Sequence, residues 1–459
     1  MSKRSMGRFL AGVAFIAALA AAPALRAESL ADALVSAYRN SDLLEQNRAL
    51  LRARDEGLAQ AVASLRPVIA FAADAGYSIL RNDGVTLNDD TTARLRLTAE
   101  LPLYDGRNRR LGVEAANELV LATRAALVGV EQSVLLTAVQ SFVDVRTALQ
   151  TVALRESNVG VIEQQLRAAQ DRFALGEVTR TDVAIAEARL AGARSALASA
   201  AGDLTIARES YRLAVGAYPG TLDAPADLAA PAATLEAATA IARARQPALV
   251  QARHLLAASE INVARAKAQM GPQVGVGGSL GLADTGAQTG SVQLSFSQPL
   301  YQGGTLSARL RAAIAQRDQD AAALHRAAAE LDRNVAQAWA RLEVARASIA
   351  ASAQQVAAAQ AAFDSVTEEA QFGARTTLDV LNAEQELRDA EAARLAAVAA
   401  QQKSAYGLLA AMGLLTVADL RLGVPVYDVS AYHDAVKSAP VSPEGARLDR
   451  ILSVLGERE

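Results

Sequence analysis

The chain has no cysteine, one tryptophan, and aromatic residues at only 4% of its positions. Lack of cysteine excludes disulfides, thiolate metal ligands and an N-terminal lipid anchor on sulfur. The three histidines, His254, His325 and His433, are scattered without ligand spacing, so no metal site is expected. Past the N-terminal segment no run of 18 uninterrupted apolar residues occurs, which predicts no transmembrane helix. Any part that crosses a membrane would then have to do so as a β-barrel. No basic stripe suggests a nucleic-acid partner. Gly275-Val276-Gly277-Gly278 leads into an alternating, strand-like segment rather than a helix, so it is no dinucleotide loop. Neither a catalytic constellation nor a cofactor motif is present, and the expectation is a protein that is not an enzyme.

The N-terminus reads as a processing segment. Lys3, Arg4 and Arg8 precede an apolar, Ala-rich stretch from Phe9 to Ala22, and small residues around Ala24 and Ala27 offer cleavage points. A removed signal peptide over 1–27 predicts export, and takes the formal net charge from −3 to −7 by removing Lys3, Arg4, Arg8 and Arg26. Hydrophobic residues make up 51% of the chain, much of it alanine, flanked by Glu, Arg and Gln. Such sequence favours long helices packed through small residues.

Two motifs each occur twice at one offset. Leu-Pro-Leu-Tyr-Asp-Gly (101–106) returns as Gln-Pro-Leu-Tyr-Gln-Gly (298–303), 197 residues on. Gly176, Thr179 and Asp182 return as Gly373, Thr376 and Asp379 at the same offset of 197. One offset for both pairs implies a duplicated unit, far longer than a solenoid repeat. The first half is expected to span 28–218, with a helix over 29–66, a hairpin over 68–101, a long helix over 107–172 and a helix over 179–216. A linker over 219–233 leads to the second half, 234–413, with a helix to 270, a hairpin over 273–298, a long helix over 304–371 and a helix over 377–413. A C-terminal segment (414–435) and a weakly ordered tail (436–459) complete the chain.

The hairpins alternate with period two. Ile69, Phe71, Ala73, Ala75, Tyr77 and Ile79 share one face, answered by Ala93, Leu95, Leu97, Ala99 and Leu101 on the return strand. Strands apolar on one face and polar on the other suit a membrane barrel. In the long helices a mostly apolar row steps by four and three: Leu121, Ala125, Val128, Gln132, Leu135, Val139 and Phe142 in one, Leu331, Val335, Ala338, Leu342 and Ala345 in the other. That is a coiled-coil seam. Four strands cannot close a barrel, and an open sheet in lipid leaves edge groups unsatisfied at several kcal/mol each. Several copies must therefore share one barrel: two copies give the minimal eight strands, three give twelve.

The doubled Pro-Leu-Tyr-x-Gly, the Arg172–Val183 turn and the Gly373–Ala383 turn together resemble the TolC family of outer-membrane efflux and secretion ducts. The resemblance covers nearly the whole mature chain, and the wording of both turns looks most like members that serve type I secretion. It implies a mainly α protein with a membrane β part: a homotrimer in which long coiled-coil helices form an α-barrel through the periplasm and four strands per protomer build a twelve-stranded barrel in outer-membrane lipid. The 414–435 segment would belong to an equatorial collar. It also implies as partners a periplasmic adaptor protein and an inner-membrane ABC transporter or RND-type pump. Pro102, Tyr104 and Gly106, with Pro299, Tyr301 and Gly303, would mark where strands leave the membrane, and Gly176, Thr179, Gly373 and Thr376 the far turns. Asp182, Arg375, Asp379 and Asn382 would line a periplasmic gate. Ala370 stands where the family has a gate tyrosine, and Asn382 where it has a second acidic residue. Multidrug efflux is the alternative, and a structural or adhesive coiled-coil envelope protein is the alternative of another class. Helix N-capping near each turn is the alternative role for Asp182 and Asp379, and the two roles can coexist.

Overall fold

The computed structural model describes residues 27–225 and 232–439. The signal segment up to Arg26, residues 226–231 of the expected linker and residues 440–459 of the expected tail lie outside the described residues.

Ser29 starts helix α1 (Leu30–Asn40) with a reciprocal cap, its hydroxyl accepting from the Asp32 N–H while Asp32 accepts from the Ser29 N–H. The single helix expected over 29–66 is in fact two. Ser41 turns extended and caps α2 (Asp42–Ala63) by accepting from the Leu44 N–H. Strands β1 (Val68–Asn82) and β2 (Val85–Tyr104) follow, joined through Asp83 and Gly84, both at positive φ. A two-residue turn of this hand matches the twist of the strands it connects. Then come α3 (Asn108–Ala174) and α4 (Arg180–Val215). The helix expected over 234–270 is also two, α5 (Leu235–Arg245) and α6 (Pro247–Ala268). Pro247 cannot donate into a continuing helix but suits the first position of a new one. The second half continues with β3 (Gln273–Ala283), β4 (Gln288–Ser297), α7 (Thr305–Gln371) and α8 (Thr377–Ala411), and α9 (Val429–Val436) ends the described chain.

Helices α3 and α7 have 67 residues each, and a rise of 1.5 Å per residue makes each about 100 Å long. Part of α3 is apolar enough, by length and composition, to cross a membrane. α3 packs along α1, α2, α4, α6 and α8, which bury part of that apolar stretch. Val128, placed on the seam by its spacing, is exposed, and the adjacent Leu127 is buried in its stead. A helix covered from several sides has no single seam. In α7, which packs chiefly against α6 and α8, Leu331, Val335, Leu342 and Ala345 are all buried as their spacing predicts.

The core is thick in the middle of the molecule and thin toward the far turns. In the middle, Phe142 and Tyr211 are fully buried with Leu34, Leu51, Leu135 and Leu415, and their ring centroids lie 6.5 Å apart. A second cluster joins α5, α7 and α8 through Ala242, Val335 and Leu408, with Trp339 packed against it. Arg243 bridges to Asp332, Arg245 to Asp419, and Lys403 to Asp144 at the surface of these clusters. Nearer the turns only small clusters remain: Ile162 with Leu190 and Ala193, and Ala359 with Leu387 and Ala390. The far ends are thus two slender helical hairpins.

Candidate functional site

The four strands form one antiparallel sheet in the order β1-β2-β3-β4, so among the described residues β1 and β4 each keep an outer edge unpaired. Register places Phe71 opposite Leu97, Leu97 opposite Leu280, and Val276 opposite Leu294, giving one apolar face across all four strands. No part of the described chain covers that face: Phe71, Leu280, Val292, Leu294 and Phe296 are each more than 60% exposed. The other face carries Asp74, Arg94, Arg96, Glu100, Ser279, Ser291 and Gln293. Strands apolar on one face and polar on the other are the pattern a membrane barrel uses, and an edge without a partner strand is a template for further pairing.

The two Pro-Leu-Tyr copies occupy different places. Strand β4 ends at Ser297, before Pro299, so the second copy lies outside the sheet. The first lies inside it: Pro102 faces Gly275 and Tyr104 faces Val274, with Leu103 the extra residue of a bulge. Proline tolerates a central strand at such a bulge because no ladder bond is asked of it there. The extra residue also turns Tyr104 onto the row of Val274 and Phe296, the apolar face. Beyond each motif the chain passes through two successive left-handed residues, Gly106-Arg107 and Gly303-Gly304, before the long helix begins. At Gly106 a side chain would also meet the Ala268 carbonyl at 3.1 Å.

At the other end of the long helices both turns are built alike. In the first, Gly176 (φ 82°) donates to Phe173 O and Glu177 N–H donates to Arg172 O. In the second, Gly373 (φ 75°) donates to Ala370 O and Ala374 N–H to Glu369 O. This paired closure satisfies carbonyls that a helix end leaves free. The next helix then starts with a reciprocal cap. Thr179 and Thr376 are the caps, and Asp182 and Asp379 reach back from the third helical position to the threonine N–H groups at 2.8 and 3.0 Å. The Thr179 hydroxyl, then its N–H, holds the Asp182 carboxyl below the usual range. For Asp379 the Thr376 N–H contributes most, then its hydroxyl, with Arg375 adding attraction.

Arg375 donates to Glu369 at 2.7 Å on its own turn, and within the chain the structure does not bring it to Asp182. Asn382 accepts from Arg189 of α4 at 2.8 Å, a bond between the two hairpins near their ends. Sequence reasoning missed Arg189, whose partner lies 193 residues away with no local signal. It also missed Glu384, for which a signal exists: Glu384 stands three residues from both Leu381 and Leu387, on the apolar row. It is 1% exposed, and Arg388 Nε lies 3.8 Å away with neither that nitrogen nor Glu384 Oε1 making a hydrogen bond. Burial pushes the Glu384 carboxyl up to about 7, with Arg388 opposing. His254 pairs with Glu118 and His433 with the buried Asp55, each in a separate part of the molecule.

The profile of the family described as outer membrane efflux protein matches residues 33–217 and again 227–414, one match to each half. Outer membrane efflux protein BepC of Brucella suis is 35% identical, covering 89% of this chain and 91% of its own. Outer membrane protein TolC of Escherichia coli is 26% identical over 80% of this chain and 79% of its own. Among solved structures, the outer membrane protein VceC of Vibrio cholerae superposes with a TM-score of 0.74 at 20% identity, covering 84% of this chain and 96% of that one.

Proposed function

The chain belongs to the outer membrane efflux protein family, that of TolC, and from this premise we propose that it is the exit duct of a tripartite export system. Its place is the outer membrane, and its class is the efflux channel. Three copies would close the sheet into a twelve-stranded barrel and align the helices as a tube through the periplasm. The observation that carries this reading is the open sheet: its exposed apolar face needs lipid, and its two free edges need further strands. A periplasmic adaptor and an inner-membrane transporter would meet the far turns and pass cargo into the tube. Asp182, Arg375, Asp379 and Asn382, clustered at those turns, would form the gate. Asp379 of each copy would face the axis, where a ring of carboxylates favours cations over anions.

Wording of the turns favours type I protein secretion with an ABC transporter. The 35% identity to a protein named for efflux favours a second reading, a drug pump of the RND type. The test is to crosslink cells, purify the chain from outer membranes and identify the co-purifying transporter. The expected product is a heat-dissociable trimer that conducts in planar bilayers. A soluble monomer without conductance would remove the duct reading, and the class of transporter recovered decides between secretion and efflux.

A further inference from the structure

At the foot of the first hairpin, a cleft of about 450 Å³ opens between the end of β1's approach, the end of β2 and the start of α3. Arg107, Arg109 and Arg110 line it together with Leu65, Leu103 and Tyr104. The arginines are weakly committed. Arg107 lies 3.9 Å from Glu114 with its side chain 69% exposed, and Arg109 is 3.5 Å from Asp105. Arg110 is exposed and has no ion pair or hydrogen bond among the described residues. With Asp105 the only acid in the lining, the cleft carries a surplus of two positive charges.

Arg107 sits at φ 70°, a conformation that costs an L-residue about 1–2 kcal/mol. At the equivalent turn of the second half the residue is Gly304, and Arg109 and Arg110 correspond there to Leu306 and Ser307. The turn itself therefore does not need the arginines. Tyr104, placed on the apolar face by the bulge, and the exposed Leu65 and Leu103 give the cleft an apolar rim continuous with the surface assigned to lipid. Guanidinium groups above an apolar, aromatic edge at the level where strands leave the membrane match a phosphate attached to acyl chains.

We propose that this cleft binds the phosphodiester of an anionic phospholipid in the periplasmic leaflet of the outer membrane. The proposal rests on the reading of the sheet as the membrane part. Lipid anchored at three such clefts would fix the height of the barrel relative to the tube.

The test is native mass spectrometry of the detergent-purified full chain, titrated with phosphatidylglycerol, with phosphatidylcholine, and with inorganic phosphate alone. Arg107→Gly restores the residue type of the other half, so it tests the side chain without straining the turn; Arg110→Gln removes the second charge. Each substitution is expected to lower phosphatidylglycerol retention about fivefold relative to phosphatidylcholine. Arg309→Gln with Arg311→Gln, on α7, should leave retention unchanged. Equal retention by all variants overturns the proposal, and so does phosphate binding as tightly as the lipid, which would make the cleft a free-anion site. Bilayer conductance of the same samples separates this outcome from failure of the duct reading, since a conducting pore without lipid selectivity sinks the cleft alone.

Discussion

The two far turns have one backbone and two chemistries. Gly176 and Gly373, Thr179 and Thr376, Asp182 and Asp379 repeat each other bond for bond. The side chains around them do not. Glu369 and Arg375 pair on the second turn where the first has Arg172 and Val178. On α8 Glu384 is buried and Arg388 half-buried, where α4 has the exposed Glu187 and Ala191. Duplication kept the parts that make a sharp helical reversal and let the rest diverge. Structure lives in what the halves share; of the gate residues proposed here, Asp182 and Asp379 belong to that shared part, while Arg375 and Asn382 stand opposite Val178 and Ile185 and belong to one half alone.

That contrast can be broken most forcefully at Glu384. Its carboxyl rises from 4.5 to about 7 on folding. Folding therefore takes up a proton between those values, so stability falls as pH rises from about 4.5 to about 7 and is level above. Glu384→Gln should remove this slope, raising stability at pH 8 by on the order of 2–3 kcal/mol and changing little near pH 4.5. Thermal unfolding at the two pH values measures it, with Glu187→Gln as the partner from the other half. A pH slope that survives Glu384→Gln would assign the proton elsewhere.

The shared backbone makes the opposite kind of prediction, equality. Gly176→Ala and Gly373→Ala each force a side chain into a left-handed turn, at about 1–2 kcal/mol. Thr179→Ala and Thr376→Ala each lose a helix cap, at about 1 kcal/mol. Denaturant or thermal midpoints should move alike for the two members of each pair. A much larger loss from one member would show that its turn does more than reverse the chain.

The smallest energies bear on the gate. Arg375→Ala frees Glu369, Arg189→Ala frees Asn382, and Asp182→Ala removes the first turn's carboxylate; all three sit in exposed or half-exposed places, so stability should change by less than about 1 kcal/mol. Pore conductance should rise in each. Conductance that stays at the wild-type level in all three would take these residues out of the gate.

Much of this architecture is legible in the sequence. A shared offset marks the duplication, period-two alternation marks the sheet face, and glycine followed by threonine and aspartate marks each reversal. Residues 85–91 escaped because a polar run such as Thr86-Leu87-Asn88-Asp89-Asp90 has no alternation to read, although β2 runs through it. The breaks at Ser41 and Pro247 escaped because the apolar rhythm continues across them; the proline at the start of α6 was the signal to heed. At the candidate site, the capping role of both aspartates follows from local spacing. The bond from Arg189 to Asn382 does not, because it depends on how two distant hairpins lie together.

The unpaired edges of β1 and β4 carry a genetic consequence. In the closed ring proposed above, each copy would supply one edge to a neighbour and borrow one from another, so a subunit with a spoiled edge would remove its whole ring from service. In a cell expressing both forms at random, intact ducts scale as the cube of the sound fraction if three copies close the ring. A lesion on an edge strand should then be dominant, whereas a lesion that prevents a chain from folding at all should be recessive. Alleles of this one gene would separate into two classes according to which strand they strike.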